Sequence, residues 1–217
     1  MNIEEIKRIA INEILNPTFE ITKQFLSVNR IVFNNNVPEI EDVIMNDETA
    51  EVYFPIVDES YFFVLYVDCE PFPSLRFMNT SPGNHVYLFA TSETNSLDEL
   101  LNILSIEPTD SWRVGERKKF TKAENYYKNS GFEFAPVSKR TGEAEDKLNV
   151  LINILHEQKD KMPLLREIAD VGLQVDYYGY KEQMWGVFLK PETLRKLADL
   201  NISLDIELYA GGPDLPE

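Results

Sequence analysis

The chain is poor in the residues that usually carry chemistry: one cysteine and two histidines in 217 residues. A lone Cys69 excludes an intramolecular disulfide and suits a reducing compartment. Its neighbours Asp68 and Glu70 push a thiol pKa up, so a nucleophilic thiol is not expected. His85 and His156 lie far apart with no acids or cysteines at ligand spacing, whereas a zinc site needs about four ligands. They read as a packing residue at a strand start and a helix-boundary residue. The nine glycines form neither a G-x-G-x-x-G nor a Walker-type loop, and Ser81-Pro82-Gly83 lacks the flanking glycines of a nucleophile elbow. No catalytic residue, metal or cofactor is therefore expected. No apolar run approaches the roughly 18 residues of a membrane span, and MNIEEIKRIA lacks a leader pattern. The expectation is a cytoplasmic protein without membrane contact.

Positive charge is also scarce. There are 21 Lys and Arg against 37 Asp and Glu, a net charge of −16. Direct nucleic-acid binding is not expected, because that affinity rests on cations neutralising phosphates. The deficit is uneven. From Glu39 to Asp110 fifteen acids face one base, Arg76; from Ser111 to Lys128 six bases face two acids; after Lys196 only acids remain. Such a field steers a cationic partner toward one surface, although acidity also serves plain solubility.

What is present is regular patterning. Ile3, Ile6, Ala10 and Ile14 predict a helix ending before Asn16-Pro17. Residues 18–33 predict a second short helix or a strand, and Asn34 to Pro38 a loop. Glu51–Ile56 and Tyr61–Val67 flank Asp58-Glu59-Ser60 as a hairpin. Leu75–Met78 and Val86–Ala90 extend it into a meander. Val86–Ala90 is so nearly continuous in apolar residues that it predicts a strand covered on both faces. Ser96 and Glu99 then form a capping box before Leu97, Leu100, Leu101 and Leu104. Glu107-Pro108 stops that helix, and the following residues, with Trp112, read as a loop.

In the second half, residues 118–129 read as a basic loop or exposed helix, and Phe132–Val137 as a strand. Leu148, Leu151, Ile152 and Leu155 give the clearest helical spacing of the chain. Pro163 opens a short helix closed at Gly172. Leu173–Tyr180 and Met184–Leu189 predict a hairpin, and Pro191 starts a helix. Finally Ile202, Leu204, Ile206 and Leu208 alternate with Ser203, Asp205, Glu207 and Tyr209, as in a sheet covered on one side and wet on the other.

The strand and T/S-rich turn from His85, the leucine helix, IEPTDSWRVGE, and the distant ETLRKLADLNISLDIELY together resemble the bacterial domain-of-unknown-function family 4279 over about residues 84–210. That resemblance implies a small mixed α/β domain and assigns no catalytic residues. The fold class expected is α+β: a helix-and-meander unit over 1–83 joined to a ferredoxin-like βαβ-type unit over 84–217. One continuous sheet through both is the other arrangement the pattern allows.

Two constellations stand out as binding candidates. Asp110, Ser111, Trp112, Arg113 and Glu116 join the residue types that anchor interfaces, at the boundary between the acidic and basic stretches. Tyr177, Tyr178, Tyr180 and Trp185 form an aromatic-rich segment, part of which must face away from the core if it is a strand. The first function expected is a non-enzymatic, acidic interaction protein, such as an immunity or inhibitor protein, with a basic protein partner. A small-molecule or enzymatic pocket between the units, lined by Trp112, Arg113 and Glu116, is the second. A nucleic-acid mimic is the third.

Overall fold

A computed structural model describes residues 2–119 and 124–216. Two helices open the chain, α1 (Ile3–Leu15) and α2 (Glu20–Val28). Asn2 caps α1 by accepting from the Glu4 N–H. The N-cap of α2, Phe19, offers no side-chain acceptor to the first turn, and Glu13 of α1 instead holds the two residues that lead into it. Its buried carboxylate takes the Thr18 N–H (2.9 Å), the Thr18 hydroxyl (2.6 Å) and the Phe19 N–H (3.0 Å). Burial alone would raise its pKa, but these bonds outweigh it and hold the carboxyl below its usual range. The two helices are thereby fixed to one another.

A tight hairpin follows, β1 (Phe33–Asn34) and β2 (Val37–Pro38). Asn35 and Asn36 turn it with φ of 50° and 65°, the left-handed pair that a two-residue hairpin favours. The expected loop is thus a turn with strands on both sides. Then β3 (Asp42–Met45), β4 (Thr49–Pro55), β5 (Phe62–Asp68) and β6 (Ser74–Ser81) form an antiparallel meander in sequence order. Alternation turns Val52, Phe54, Phe63 and Leu65 onto Ile6, Ala10 and Phe25 of the helices, and all of these are buried in one cluster.

The chain then leaves this sheet. The meander ends at β6, and β7 (Gly83–Ser92) pairs with no strand of it. Instead β7, α3 (Leu97–Leu101), β8 (Asp110–Trp112), β9 (Ser130–Phe134), α4 (Ala144–His156), α5 (Met162–Ile168), β10 (Asp170–Tyr180), α6 (Pro191–Leu200) and β11 (Ser203–Gly211) build a five-stranded sheet in the order β11-β10-β7-β9-β8. The first four of its strands in sequence have the split-βαβ order of a ferredoxin-like fold, and α6 adds β11 parallel to β10 on the outside. The architecture is mixed α and β in two separate larger sheets beside the β1–β2 hairpin, not one continuous sheet. The capping box of α3 is formed from both sides, with the Ser96 N–H donating to Glu99 at 2.7 Å and the Glu99 N–H to Ser96 at 3.4 Å.

Local expectations fail in three further places. The loop after Pro108 contains β8, which the periodicity of three residues is too short to reveal. Gly172 does not close α5; it lies inside β10 beneath the Phe89 ring. Met184–Leu189 forms no strand. Its alternation is real, with Trp185, Val187 and Leu189 packed on the core and Met184 and Phe188 exposed, but no strand stands beside it to pair. In the basic stretch 118–129, residues 120–123 lie outside the described residues. Those on either side are irregular apart from one bridge, Arg117 to Tyr126.

The two sheets share a seam. Tyr180, at the end of β10, stacks on Tyr61 and meets the Phe25 edge inside the N-terminal core. The connector before α4 crosses the meander's second face. There Lys139 and Thr141 donate to Asp42 (3.1 and 2.7 Å), and Arg140 donates to Ser60 (3.2 Å).

Candidate functional site: the open sheet face

All helices of the five-stranded unit lie on one side of its sheet. Val86, Leu88, Ala90, Phe132, Leu173 and Val175 point to that side and are buried with Leu100, Leu151, Ile152 and Leu197. Alternation therefore sends the intervening residues to the opposite face, where among the described residues no helix of this unit packs; its Tyr180 end alone is covered, by Tyr61 and by Phe25 of α2. The expectation that β7 is covered on both faces is thus corrected. Its outward residues His85, Tyr87 and Phe89 are half-buried, with no helix of this unit over them. The apolar run exists because the open face is itself aromatic.

Strand register sets the layout of that face. Ser203, Gly172, Phe89, Glu133 and Asp110 form one row across all five strands. Asp205, Gln174 and Tyr87 form the next, then Glu207, Asp176 and His85, then Tyr209 and Tyr178. Tyr178 and Tyr209 stack with centroids 4.8 Å apart, and His85 lies 4.9 Å from Tyr87. Lys119 pairs with Asp110 at one edge, and the Arg140 guanidinium sits 5.3 Å over Tyr178 at one end. Between them Glu133, Asp176, Asp205 and Glu207 have no ion-pair partner among the described residues.

The electrostatics follow from that imbalance. Burial, then Asp110 and Asp176, raise the Glu133 pKa. Burial also raises Asp176, with Glu207 adding to it against the Gln174 hydrogen bond (3.0 Å). Burial lowers the His85 pKa, against the pull of Asp176. Tyr209 donates to Glu207, and that bond is the main reason its hydroxyl is pushed up to about 12. Half-desolvated carboxylates beside one another favour any arriving cation. Among the described residues no three His, Cys, Asp or Glu converge as a metal ion would require.

A family model described as Domain of unknown function (DUF4279) matches residues 81–211, more than half of the chain. The chain belongs to the DUF4279 family. The match begins at the last residue of β6 and ends with β11, so it spans the five-stranded sheet and its helices entire. No curated protein and no solved structure matches the chain.

Of the residues singled out by sequence, three belong to the open face of the DUF4279 sheet: Asp110, Trp112 and Tyr178. Trp112 closes its corner. It lies flat over Gly131, where a Cβ would stand 2.6 Å from the indole, stacks on Tyr127 at 5.1 Å, and donates to Asn129 at 3.1 Å. It is 9 % exposed, so the ring serves packing first. Arg113 points the other way and grips Asp98 of α3 with two bonds of 2.8 and 3.0 Å. Glu116 accepts the Arg113 N–H and closes the turn. Trp185 lies on the helix side, against Gly179 and 5.2 Å from Tyr177, and donates to the Tyr180 carbonyl.

Trp112, Arg113 and Glu116 therefore turn to different neighbours rather than toward one another's side chains. The seam between the sheets holds a cavity of about 230 Å³ lined by Phe25, Met78, Tyr180, Gln183 and Leu215, below the range of about 300–1,000 Å³ common for ligand sites. Sequence reasoning missed His85, Tyr87, Phe89, Glu133 and Asp176 on the DUF4279 face. The signal was the aromatic content of β7, which was read as burial rather than as a second, open surface.

Proposed function

We propose that this chain is a non-enzymatic interaction protein, of the immunity or inhibitor kind, that holds a basic protein partner on the open face of its five-stranded sheet. The observation that carries the reading is the face itself. Tyrosines and Phe89 offer rigid contact area at little entropic cost, and Glu133, Asp176, Asp205 and Glu207 surround them with no ion-pair partner among the described residues. An enzyme would need converging acids, bases or nucleophiles, and these carboxylates are spread along rows of one sign. The net charge of −16 adds long-range steering toward a cationic surface.

The reading is tested by partner capture with three baits: the wild-type chain, a Glu133→Lys/Asp176→Lys face variant, and a Glu192→Lys/Asp199→Lys control on exposed positions of α6. A basic protein retained by wild type and control at about 50 mM salt, released by about 500 mM as the Debye length shortens, and lost from the face variant is the expected result. Retention that is indifferent to salt, or to the face variant, counts against it.

A further inference from the structure

The two ends of the five-stranded sheet are finished differently. At one edge β8 is three residues long, and Lys119, from the segment after it, folds back to pair with Asp110. At the other, β11 runs nine residues in unbroken register with β10. It carries no proline, no lysine and no bulge, the devices that blunt an edge. Leu208 is 58 % exposed and Tyr209 44 %.

The ladder shows which backbone groups are left over. The Gly211 carbonyl, opposite Tyr180, accepts from the Lys181 N–H at 2.9 Å. In a parallel pair every second residue turns both its groups to the same neighbour. Residues 203, 205, 207, 209 and 211 therefore spend theirs on β10. Leu204, Ile206, Leu208 and Ala210 direct theirs outward, and among the described residues nothing receives them. A row of unpaired donors and acceptors on a long, regular strand is a template for one more strand.

We propose that β11 is completed by an extended segment of the partner, added as a sixth strand and alternating basic with apolar residues. The side chains beside the vacant edge dictate that alternation. On the open face the new strand lies next to Asp205, Glu207 and Tyr209, and cross-strand cations there find opposite charges. On the helix side it lies next to Leu204, Ile206 and Leu208 and extends their apolar stripe. A second copy of this chain fits poorly. Full antiparallel overlap of two β11 strands sets Glu207 against Glu207, and a shift by two residues in one direction sets Asp205 against Glu207; the opposite shift avoids like charges but gives neither Asp205 nor Glu207 a cation and leaves Ser203 and Leu204 outside the overlap. This inference deepens the proposed function by naming the form of the basic partner, and it fails separately from it.

The test uses the whole chain and a synthetic peptide alternating lysine and valine over eight positions. Addition of the peptide slows hydrogen exchange at the amides of Leu204, Ile206, Leu208 and Ala210 at least tenfold, while those of 205, 207 and 209 are slow from the start. Three changes abolish binding: N-methylation of alternate peptide residues, Leu208→Pro, which removes an outward donor and leaves the ladder to β10 intact, and Asp205→Lys/Glu207→Lys. The last restores binding to a glutamate-valine peptide. Equal binding of the N-methylated peptide, no binding at about 1 mM, or protection of the same amides by self-association without peptide overturns the proposal. If the captured basic protein is lost with Glu133→Lys/Asp176→Lys but kept by Leu208→Pro, the face reading stands and the sixth strand falls.

Discussion

The two sheets of this protein use the same materials to opposite ends. In the four-stranded sheet α1 and α2 close one face, and the connector over residues 138–142 crosses part of the other, where Tyr53, Phe62 and Val64 are buried as a second small core and the Tyr66–Phe77 stack beyond them stays partly in water. In the five-stranded sheet the helices close one face, and the aromatic residues of the other remain half in water. Carboxylates follow the same division. Asp42, on the closed sheet, is paired: burial would raise its pKa, but Thr141 and Lys139 hold it below the usual range. Glu133 and Asp176, on the open one, are raised and unpaired. An aromatic-and-acid surface is structural when something covers it and available when nothing does.

Truncating one phenylalanine on each sheet gives the largest contrast. Phe62→Ala should lower the free energy of unfolding by about 3–5 kcal/mol, the usual loss for a fully packed aromatic ring. Phe89→Ala, on the open face, should cost only about 1–2 kcal/mol, because part of its area is already in water. Urea denaturation followed by circular dichroism measures both. Equal losses would mean that the open face is as much a core as the closed one.

The next effect concerns the seam that makes the difference between the sheets. Lys147 of α4 is 6 % exposed, and its ammonium donates to the Asn84 carbonyl at 3.2 Å, with no ion-pair partner among the described residues. Burial, then Arg140, bring its pKa down to about 8. A base whose folded pKa is lowered binds its proton less well in the folded than in the unfolded state. The chain should therefore gain stability as pH rises from about 8 toward the unfolded value of about 10.4. Lys147→Met should flatten that rise and stabilise the protein at pH 7 by about 1–3 kcal/mol, read from urea midpoints across the pH range.

How much of this was legible in the sequence depends on what each signal reports. Helices with a single apolar stripe, such as the one over Leu148 and Leu155, were readable because their period has one cause. So was the wet face of β11, whose Asp205, Glu207 and Tyr209 alternate with Leu204 and Ile206. The strand β7 was misread because Tyr87 and Phe89 look alike whether a helix or water lies over them. Met184–Leu189 was misread because alternation reports two environments and not a pairing partner. Of the candidate site, Asp110, Trp112 and Tyr178 were found by type, whereas Glu133 and Asp176 join it only through strand order, which no local pattern contains.

A smaller effect separates use from stability on the open face. Glu133→Gln with Asp176→Asn removes two raised carboxylates. In the wild type such groups hold their protons more tightly when folded, so they cost stability as pH rises through and above the ordinary carboxylate range. The double variant should gain about 0.5–1 kcal/mol at pH 7 and lose that gain in acid, while its hold on a basic partner weakens. A variant that is both less stable and equally sticky would place these acids in the fold rather than in its use.

The smallest expected effect is at Arg113, the most conspicuous cation of the sequence. Its two bonds to Asp98 lie in water on the helix side, where screening and side-chain entropy cancel most of the attraction. Arg113→Ala should leave the urea midpoint and the salt-dependent retention of a basic partner where they were. A loss of partner binding in this variant, with the fold intact, would move the interaction surface from the open face to the loop after Trp112, and the contrast between the two sheets would no longer explain where the partner goes.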